Sequence, residues 1–219
     1  FSSDMSKTIK IKKGYDIKLE GEASTQVGGE ITSKSYALKP TDFKNITPRL
    51  QLKEGSEVKA GDAIFADKDR PEIKFCSPVS GEVAEIKRGA KRKILEIVIL
   101  ADKETRFADF GKASPADLSK EQITEKLLAS GAWTLLIERP FGVVANPKHT
   151  FKNTFITGIQ SSPLSADVNL QVSGEGKNLQ TGIDALAKLS EGKVYLSLDA
   201  DNTPADELKS AKGVEINYF

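Results

Sequence analysis

The sequence predicts an α+β protein, with a β-rich first half and an α/β second half built on a mostly parallel sheet. Up to about residue 100, short β-like runs alternate with glycine and charged turns, and no helical periodicity is present. From residue 114 onward, apolar residues recur at helical spacing between short apolar strands. Because the pattern changes within a chain of 219 residues, which is long enough for two small cores, we expect two domains.

Strands account for the first domain, which we place at residues 5–101. Residues 1–4 precede Met5 and stay outside the fold prediction. The predicted strands are at 7–14, 49–55, 62–66, 72–78, 82–89 and 94–100. A polar connector at 102–118, which contains Gly111 and Pro115, separates this domain from the next.

Helices and strands alternate in the second domain, which we place at 119–219. Ser119 and Gln122 match a capping box and Gly131 a closing glycine, so a helix is predicted at 119–130. The later segments are a strand at 154–159, a helix with Leu179, Ile183, Leu186 and Leu189 on one face, a strand at 194–198, a short helix that starts at Pro204 and ends at Gly213, and a strand at 214–219. This β-α-β-α-β order is typical of a Rossmann-like parallel sheet, which we expect to be incomplete at residue 219.

Two glycine-containing segments of the first domain resemble the halves of the barrel-sandwich hybrid fold of biotinyl and lipoyl carriers. Residues 54–65 contain G-x-x-V-x-x-G-D-x-I, and residues 77–83 read S-P-V-S-G-E-V. In the lipoyl pattern the modified lysine lies seven residues ahead of the Ser-Pro pair, and that position holds Arg70. Lys68 lies nearby but out of register. A charged hairpin tip is therefore the favoured interpretation, and a biotin- or lipoyl-type carrier stays open as an alternative.

Composition excludes several classes of function. The formal net charge of +1 gives no reason to expect nucleic acid as a partner. One cysteine and one histidine cannot form an internal disulfide, a thiolate cluster or a histidine zinc shell, so no metal site is expected. His149 has no G-x-S-x-G motif or cysteine neighbour, so no catalytic residue is predicted. Cys76 is interpreted as a small buried residue. No apolar run in the sequence reaches the length of a membrane-spanning helix.

The tract 87-KRGAKRK-93 carries five basic residues around a glycine turn. Lys87, Arg88, Lys91 and Arg92 are a candidate anion or partner patch, which could meet a dinucleotide phosphate or an acidic partner protein. The alternative is a solvated hairpin whose positive charge opposes edge-to-edge aggregation, and we favour that alternative.

Five blocks spread over the chain carry a family resemblance. They are 9-IKIKKGYDI-17, 77-SPVSGEVAEIKRGAKR-92, 127-LLASGAWTLLIERPFG-142, 155-FITGIQSSPLSADVNL-170 and 182-GIDALAKLSEGKVYLSL-198. Together they resemble the A-subunit family of bacterial Na⁺-translocating NADH:quinone reductases. The resemblance implies a peripheral subunit on the cytoplasmic face of the bacterial inner membrane, in a complex that oxidises NADH, reduces ubiquinone and exports sodium. It also implies that other subunits, which include membrane subunits, hold the NADH, the flavins, the iron-sulfur centre and the Na⁺ pathway. On this resemblance, no cofactor is expected in this chain.

That family is similar, more distantly, to the flavin- and NADH-binding subunit of respiratory complex I and to the C subunit of the Rnf complex. Those relatives carry a glycine-dense loop whose backbone approaches the flavin phosphate, and the corresponding stretch here is 130–142. Only Gly131 and Gly142 remain in it. Without further glycines the backbone amides cannot close on a phosphate, so we infer a flavin-site scaffold that has lost its flavin.

Bulky side chains in the same stretch are candidates for other contacts. Trp133, Arg139 and Phe141 could meet a partner protein or a ubiquinone ring, with core packing as the alternative for Trp133 and Phe141. A rival function is a flavin- or dinucleotide-binding oxidoreductase domain that uses the α/β half together with residues 87–93.

Overall fold

The computed structural model describes residues 7–10, 13–15, 17, 19–21, 24–160, 162, 164–202 and 204–219. Its strands are β1 (Lys7–Thr8), β2 (Ser35–Leu38), β3 (Pro48–Leu50), β4 (Glu57–Val58), β5 (Ala63–Asp67), β6 (Lys74–Cys76), β7 (Gly81–Arg88), β8 (Ile94–Ala101), β9 (Ile137–Glu138), β10 (Val143–Val144), β11 (Thr154–Gly158), β12 (Val194–Leu198) and β13 (Glu215–Tyr218). Its α-helices are α1 (Lys120–Ala129), α2 (Val168–Val172), α3 (Gly176–Leu189) and α4 (Asp206–Lys209).

The chain divides into two compact units that are discontinuous in sequence. The barrel unit comprises 30–113 and 121–149, and the α/β unit comprises the described parts of 1–29, 114–120 and 150–219. The predicted boundaries differ from this division in three places, one of which is the predicted connector 102–118, which is divided between the two units after residue 113. Strand β1 pairs in parallel with β13, which assigns the N-terminal segment to the α/β unit. Residues 121–149 belong with the barrel, because the turn after α1 packs against Cys76 of β6.

Two larger antiparallel sheets form most of the barrel unit, in the strand orders β2-β8-β7-β4 and β3-β5-β6, and β9 pairs with β10 in a third, two-stranded one. Its core is a set of residues less than 3% exposed: Ile64, Phe65, Ala66, Ile73, Phe75, Val83, Ile97 and Ile99. Phe65 and Phe75 stack with their ring centroids 4.5 Å apart, and Phe43 packs on Phe75 at 4.4 Å. The first residues of β7 alternate between buried and exposed, which is the pattern of a sheet with one buried face. The barrel-sandwich prediction is confirmed.

Gly81 of the S-P-V-S-G-E-V motif is required by the close approach of two strands. Its φ is +152°, and a Cβ atom there would lie 1.8 Å from the carbonyl oxygen of Leu100. A side chain at this position would therefore force β7 away from β8. The glycine shapes the barrel whether or not the protein carries a prosthetic group.

A parallel sheet in the order β1-β13-β12-β11 forms the centre of the α/β unit. Its inner face packs Leu196 and Leu198 against Leu208 of α4, with Ile183 and Leu189 of α3 also buried. The predicted β-α-β-α-β order is confirmed, and the predicted helices and strands match α1, α3, α4, β11, β12 and β13 to within a few residues. Helix α2 and strands β2, β4, β9 and β10 were not predicted. No helix in the described ranges is long and apolar enough to cross a membrane.

Candidate functional site

Arg70, at the register position of a carrier lysine, is bound within the barrel unit. Its Nε donates to Oδ2 of Asp67 at 2.8 Å, and a guanidinium nitrogen donates to the carbonyl of Val144 at 3.2 Å. Asp67 is only 1% exposed and also accepts from the backbone amide of Thr47 at 3.3 Å. Arg70 therefore closes the β5–β6 hairpin through a buried ion pair. Lys68 is exposed on the same tip.

The two serines of the S-P-V-S-G-E-V motif also serve the barrel. The Ser77 hydroxyl donates to the carbonyl of Val79, and the buried Ser80 hydroxyl donates to the carboxylate of Asp102 at 2.7 Å. That hydrogen bond, together with one from the Arg106 guanidinium, lowers the pKa of Asp102. Both serine hydroxyl groups are therefore engaged in hydrogen bonds within the barrel, and the one from Ser80 links the start of β7 to the segment after β8.

The turn after α1, which was predicted to correspond to a flavin loop in distant relatives, packs against the barrel. Gly131 has φ +77°, and a Cβ atom there would lie 2.8 Å from Sγ of Cys76, so this glycine serves barrel packing. Trp133 is 2% exposed, and its indole Nε1 donates to the carbonyl of Ala145 at 2.8 Å. The Trp133 ring therefore packs inside the barrel unit and does not reach the surface, where a quinone or a partner protein would bind.

Cys76 is half-buried under the same turn. Burial raises the pKa of its thiol to about 11, an effect that Asp62 reinforces and Lys74 opposes. The thiol is therefore protonated at neutral pH, which agrees with its interpretation as a packing residue.

The other two predicted contact residues of this stretch lie on the surface. Arg139 and Phe141 are both exposed in the connection between β9 and β10, with 63% of Phe141 accessible. The carbonyl of Phe141 accepts from the ammonium group of Lys44 at 3.3 Å. Leu135 and Ile137 are exposed as well, at 80% and 50%. This segment therefore presents apolar side chains next to cationic groups, and the predicted partner or quinone contact remains a prediction for Arg139 and Phe141.

His149 anchors the same segment. Its Nδ1 lies 3.1 Å from the Glu138 carboxylate, and its Nε2 lies 3.2 Å from Nδ2 of Asn146. The backbone amide of Asn146 also donates to Glu138, and this hydrogen bond, with a smaller one from His149, lowers the pKa of that carboxyl. The arrangement orders residues 138–149. Among the described residues, no three or more His, Cys, Asp or Glu side chains are placed to hold a metal ion.

The basic hairpin between β7 and β8 divides into a paired part and an exposed part. Lys87 lies 3.0 Å from Glu96, and this hydrogen bond raises the pKa of Lys87 and lowers the pKa of Glu96. Arg88 donates to the carbonyl of Arg92 at 3.2 Å. Lys91 and Arg92 are exposed at the tip with φ of 53° and 61°, a left-handed conformation that is uncommon away from glycine.

A cleft of about 420 Å³ adjoins this hairpin, and sequence reasoning missed it. Its lining comes from the loop 40–48 and from Lys93 and Ile94 at the end of the hairpin. Lys44 and Lys93 are its charged residues, and no carboxylate is among the described residues that line it. Lys93 was part of the predicted basic tract, but nothing in the loop sequence marked Lys44.

The α/β unit has its own cleft, of about 610 Å³, at the carboxyl ends of β11 and β12. Such ends are the usual ligand positions in open parallel sheets. Here the polar side chains are engaged in local structure: Asp199 accepts from the amides of Asp201 and Asn202, Asp167 caps α2, and Asn169 accepts from the amide of Ala205.

Comparisons with known proteins match two consecutive domain models, whose bounds differ from those of the two compact units. Residues 9–102 match the NqrA N-terminal barrel-sandwich hybrid domain, and residues 118–219 match the NqrA second alpha/beta domain. Among curated proteins, the chain is similar to the A-subunits of several bacterial Na⁺-translocating NADH-quinone reductases. It is 35% identical over 213 residues to the one from Vibrio vulnificus strain YJ016, which covers 96% of this chain and 47% of that protein.

Two further relatives give the same result. The chain is 35% identical over 193 residues to the A-subunit from Serratia proteamaculans, with 86% of this chain and 43% of that protein covered. It is 34% identical over 190 residues to the one from Pseudomonas aeruginosa, with 86% and 42% covered. The chain thus spans about half the length of the curated relatives it matches.

Proposed function

The chain belongs to the NqrA family, of which it contains the first two domains, and from that membership we propose that it works as a subunit of a sodium-translocating NADH:quinone reductase. In this role it supports electron transfer from NADH to ubiquinone, coupled to sodium export. Its position is peripheral, on the cytoplasmic face of the bacterial inner membrane, docked on other subunits that include the membrane subunits. The observation that carries the proposal is the match of two consecutive NqrA domains over residues 9–102 and 118–219.

Docking, not independent catalysis, is the part we assign to this chain. The barrel tip supports this, because Arg70 is engaged with Asp67 and Val144 where a carrier would present a lysine. The turn at 130–135 supports it too, because its one glycine, Gly131, faces Cys76, and a flavin phosphate would need more open glycine backbone. NADH, the flavins, the iron-sulfur centre and the sodium pathway then belong to the other subunits.

We assign a contact with ubiquinone to the exposed part of the same segment. Phe141 offers an accessible ring and Arg139 an adjacent cation. An aromatic face and a guanidinium are suited to a quinone ring and its carbonyl oxygens, respectively. Trp133 has no part in this contact, because its ring is buried.

Co-purification from native membranes tests the proposal. An affinity tag on the chain is expected to recover the other reductase subunits, with sodium-stimulated reduction of ubiquinone by NADH in the eluate. Recovery of the tagged chain alone, or of a complex without NADH-dependent quinone reduction, would contradict it. A matched preparation that carries the tag on an unrelated soluble protein of the same host controls for membrane fragments that bind the resin.

A further inference from the structure

The cleft beside the basic hairpin has the chemistry of a phosphate site. Lys44 and Lys93 line it together with Thr41, Asn45 and Thr47, which supply polar groups. Two ammonium groups without a carboxylate among the described lining residues favour an anion. Apolar lining from Pro40, Phe43, Ile46, Pro48 and Ile94 leaves part of the wall suited to hydrocarbon.

Positive charge is concentrated around this cleft. The formal net charge of the whole chain is +1, but the seven residues 87–93 carry five basic groups and no acidic one. Lys91 and Arg92 lie next to Lys93 in the chain, are exposed, and have no ion pair among the residues that the structure describes. The hairpin tip therefore extends the positive field of the cleft outward.

An exposed aromatic residue lies beside one of the two cleft lysines. Lys44 lines the cleft, and its ammonium group donates to the carbonyl of Phe141 at 3.3 Å, so the Phe141 backbone lies next to this lysine. The Phe141 residue is 63% exposed. Cations next to an exposed aromatic ring suit the boundary between lipid head groups and acyl chains.

We propose that the Lys44–Lys93 cleft binds the phosphodiester head group of an anionic phospholipid, with Phe141 entering the lipid interface and the 88–93 hairpin lying on the anionic surface. An acidic protein surface would satisfy the lysines but would leave Phe141 and the apolar lining of the cleft without a matching group, so a lipid fits the observations better. The proposal concerns the isolated chain and lipid alone, and it can therefore fail while the assignment to the reductase stands.

Vesicle sedimentation with the 219-residue chain tests the proposal. Phosphatidylglycerol mixed into phosphatidylcholine vesicles is expected to bind the chain, and binding is expected to weaken as ionic strength rises. A basic residue near an anionic surface contributes about five-fold to partitioning, so Lys44→Gln combined with Lys93→Gln is expected to lower the partition coefficient by about thirty-fold. Circular dichroism checks that the variant remains folded.

The matched control removes the same charge elsewhere. Lys59 and Lys103 are exposed, and Lys103 follows the far end of β8, which places it roughly 25 Å along the strand from the hairpin. Lys59→Gln combined with Lys103→Gln is expected to change partitioning less than about two-fold, because neither residue borders the cleft. Phe141→Trp supplies a local signal, since its emission should shift to shorter wavelength when phosphatidylglycerol vesicles are added.

Several outcomes would overturn the proposal. An equal loss of vesicle binding in the two double variants would mean that net charge alone drives binding. Unchanged binding in the Lys44 and Lys93 variant would remove the cleft from the interaction. Binding of glycerol phosphate to the cleft, seen as shifts of its lysine resonances without any vesicle binding, would assign it to a soluble anion. In the intact complex, a photo-cross-linker in place of Lys93 that captures protein but no lipid would assign the surface to a protein partner.

Discussion

Replacing Arg70 with methionine leaves the Asp67 carboxylate buried beside a neutral side chain. Asp67 is 1% exposed, and the Arg70 guanidinium is its partner at 2.8 Å. Removing one partner of a buried ion pair costs about 3–5 kcal/mol, and the 18% exposure of the Arg70 side chain places this pair near the lower value, at about 3 kcal/mol. With a urea m-value of about 2 kcal/mol per molar, the unfolding midpoint of the barrel unit is expected to fall by about 1.5 M.

The emission of Trp133 is the assay for this change. Trp133 is the single tryptophan of the chain, is buried, and lies in the barrel unit with Arg70, so its emission follows the unfolding of that unit alone. Arg49→Met is the matched control, because Arg49 is exposed on β3, and its stability is expected to change by less than about 0.5 kcal/mol.

A double variant separates loss of the pair from loss of packing. With Asp67→Asn added to Arg70→Met, no charge is left buried, so stability is expected to recover to within about 1 kcal/mol of the parent. If Arg70→Met unfolds at the same midpoint as Arg49→Met, the reasoning is refuted, and Arg70 would be an exposed tip residue after all.

Three further predictions concern the turn after α1 and the hairpin tip. Burial raises the pKa of Cys76 to about 11, whereas in urea the thiol has an ordinary pKa near 8.5. Alkylation of Cys76 at pH 8 is therefore expected to be at least about 100-fold slower in the native protein than in urea. Equal rates in the two states would show that the thiol is not buried. Gly131→Ala is expected to lower the stability of the barrel unit by about 3 kcal/mol, because the new methyl group adds strain at a left-handed φ and overlaps Cys76. Gly142→Ala has the strain of a left-handed φ of +65° but meets open space, so it is expected to lower stability by only about 1 kcal/mol. Equal losses of stability in urea unfolding would show that overlap with Cys76 does not contribute. After co-expression with biotin and lipoate ligases the intact mass is expected to equal that of the bare sequence, without visible flavin absorption; an adduct on Lys68 or a yellow protein would contradict the docking assignment.

Local signals in the sequence were enough to predict much of the fold. Helix α3 was predicted from the helical spacing of Leu179, Ile183 and Leu186, and strand β12 was predicted from a short apolar run. Both signals come from residues close together in the sequence, so no tertiary contact had to be known. The barrel was predicted from the resemblance of two glycine-containing segments to biotinyl and lipoyl domains. The structure supplies the reason for one of these glycines, since a Cβ atom at Gly81 would overlap the carbonyl of Leu100.

Long-range contacts were the part that the sequence did not reveal. Strand β1 pairs with β13 near the other end of the chain, and no local pattern predicts such a partner. Strand β4 is too short to leave a pattern. The candidate lipid cleft joins Lys44 to Lys93 across the folded barrel, and the burial of Trp133 depends on Ala145, so both required the tertiary structure.

Deletion of the gene for this chain, followed by assay of inverted membrane vesicles, is the most direct test of the proposed role in the reductase. We predict that sodium-stimulated reduction of ubiquinone by NADH disappears, that it returns when the gene is supplied in trans, and that NADH oxidation with a soluble artificial acceptor is retained, because the proposed role assigns the NADH site to another subunit. Full sodium-stimulated quinone reduction and an intact complex in the deleted strain would contradict the proposed role.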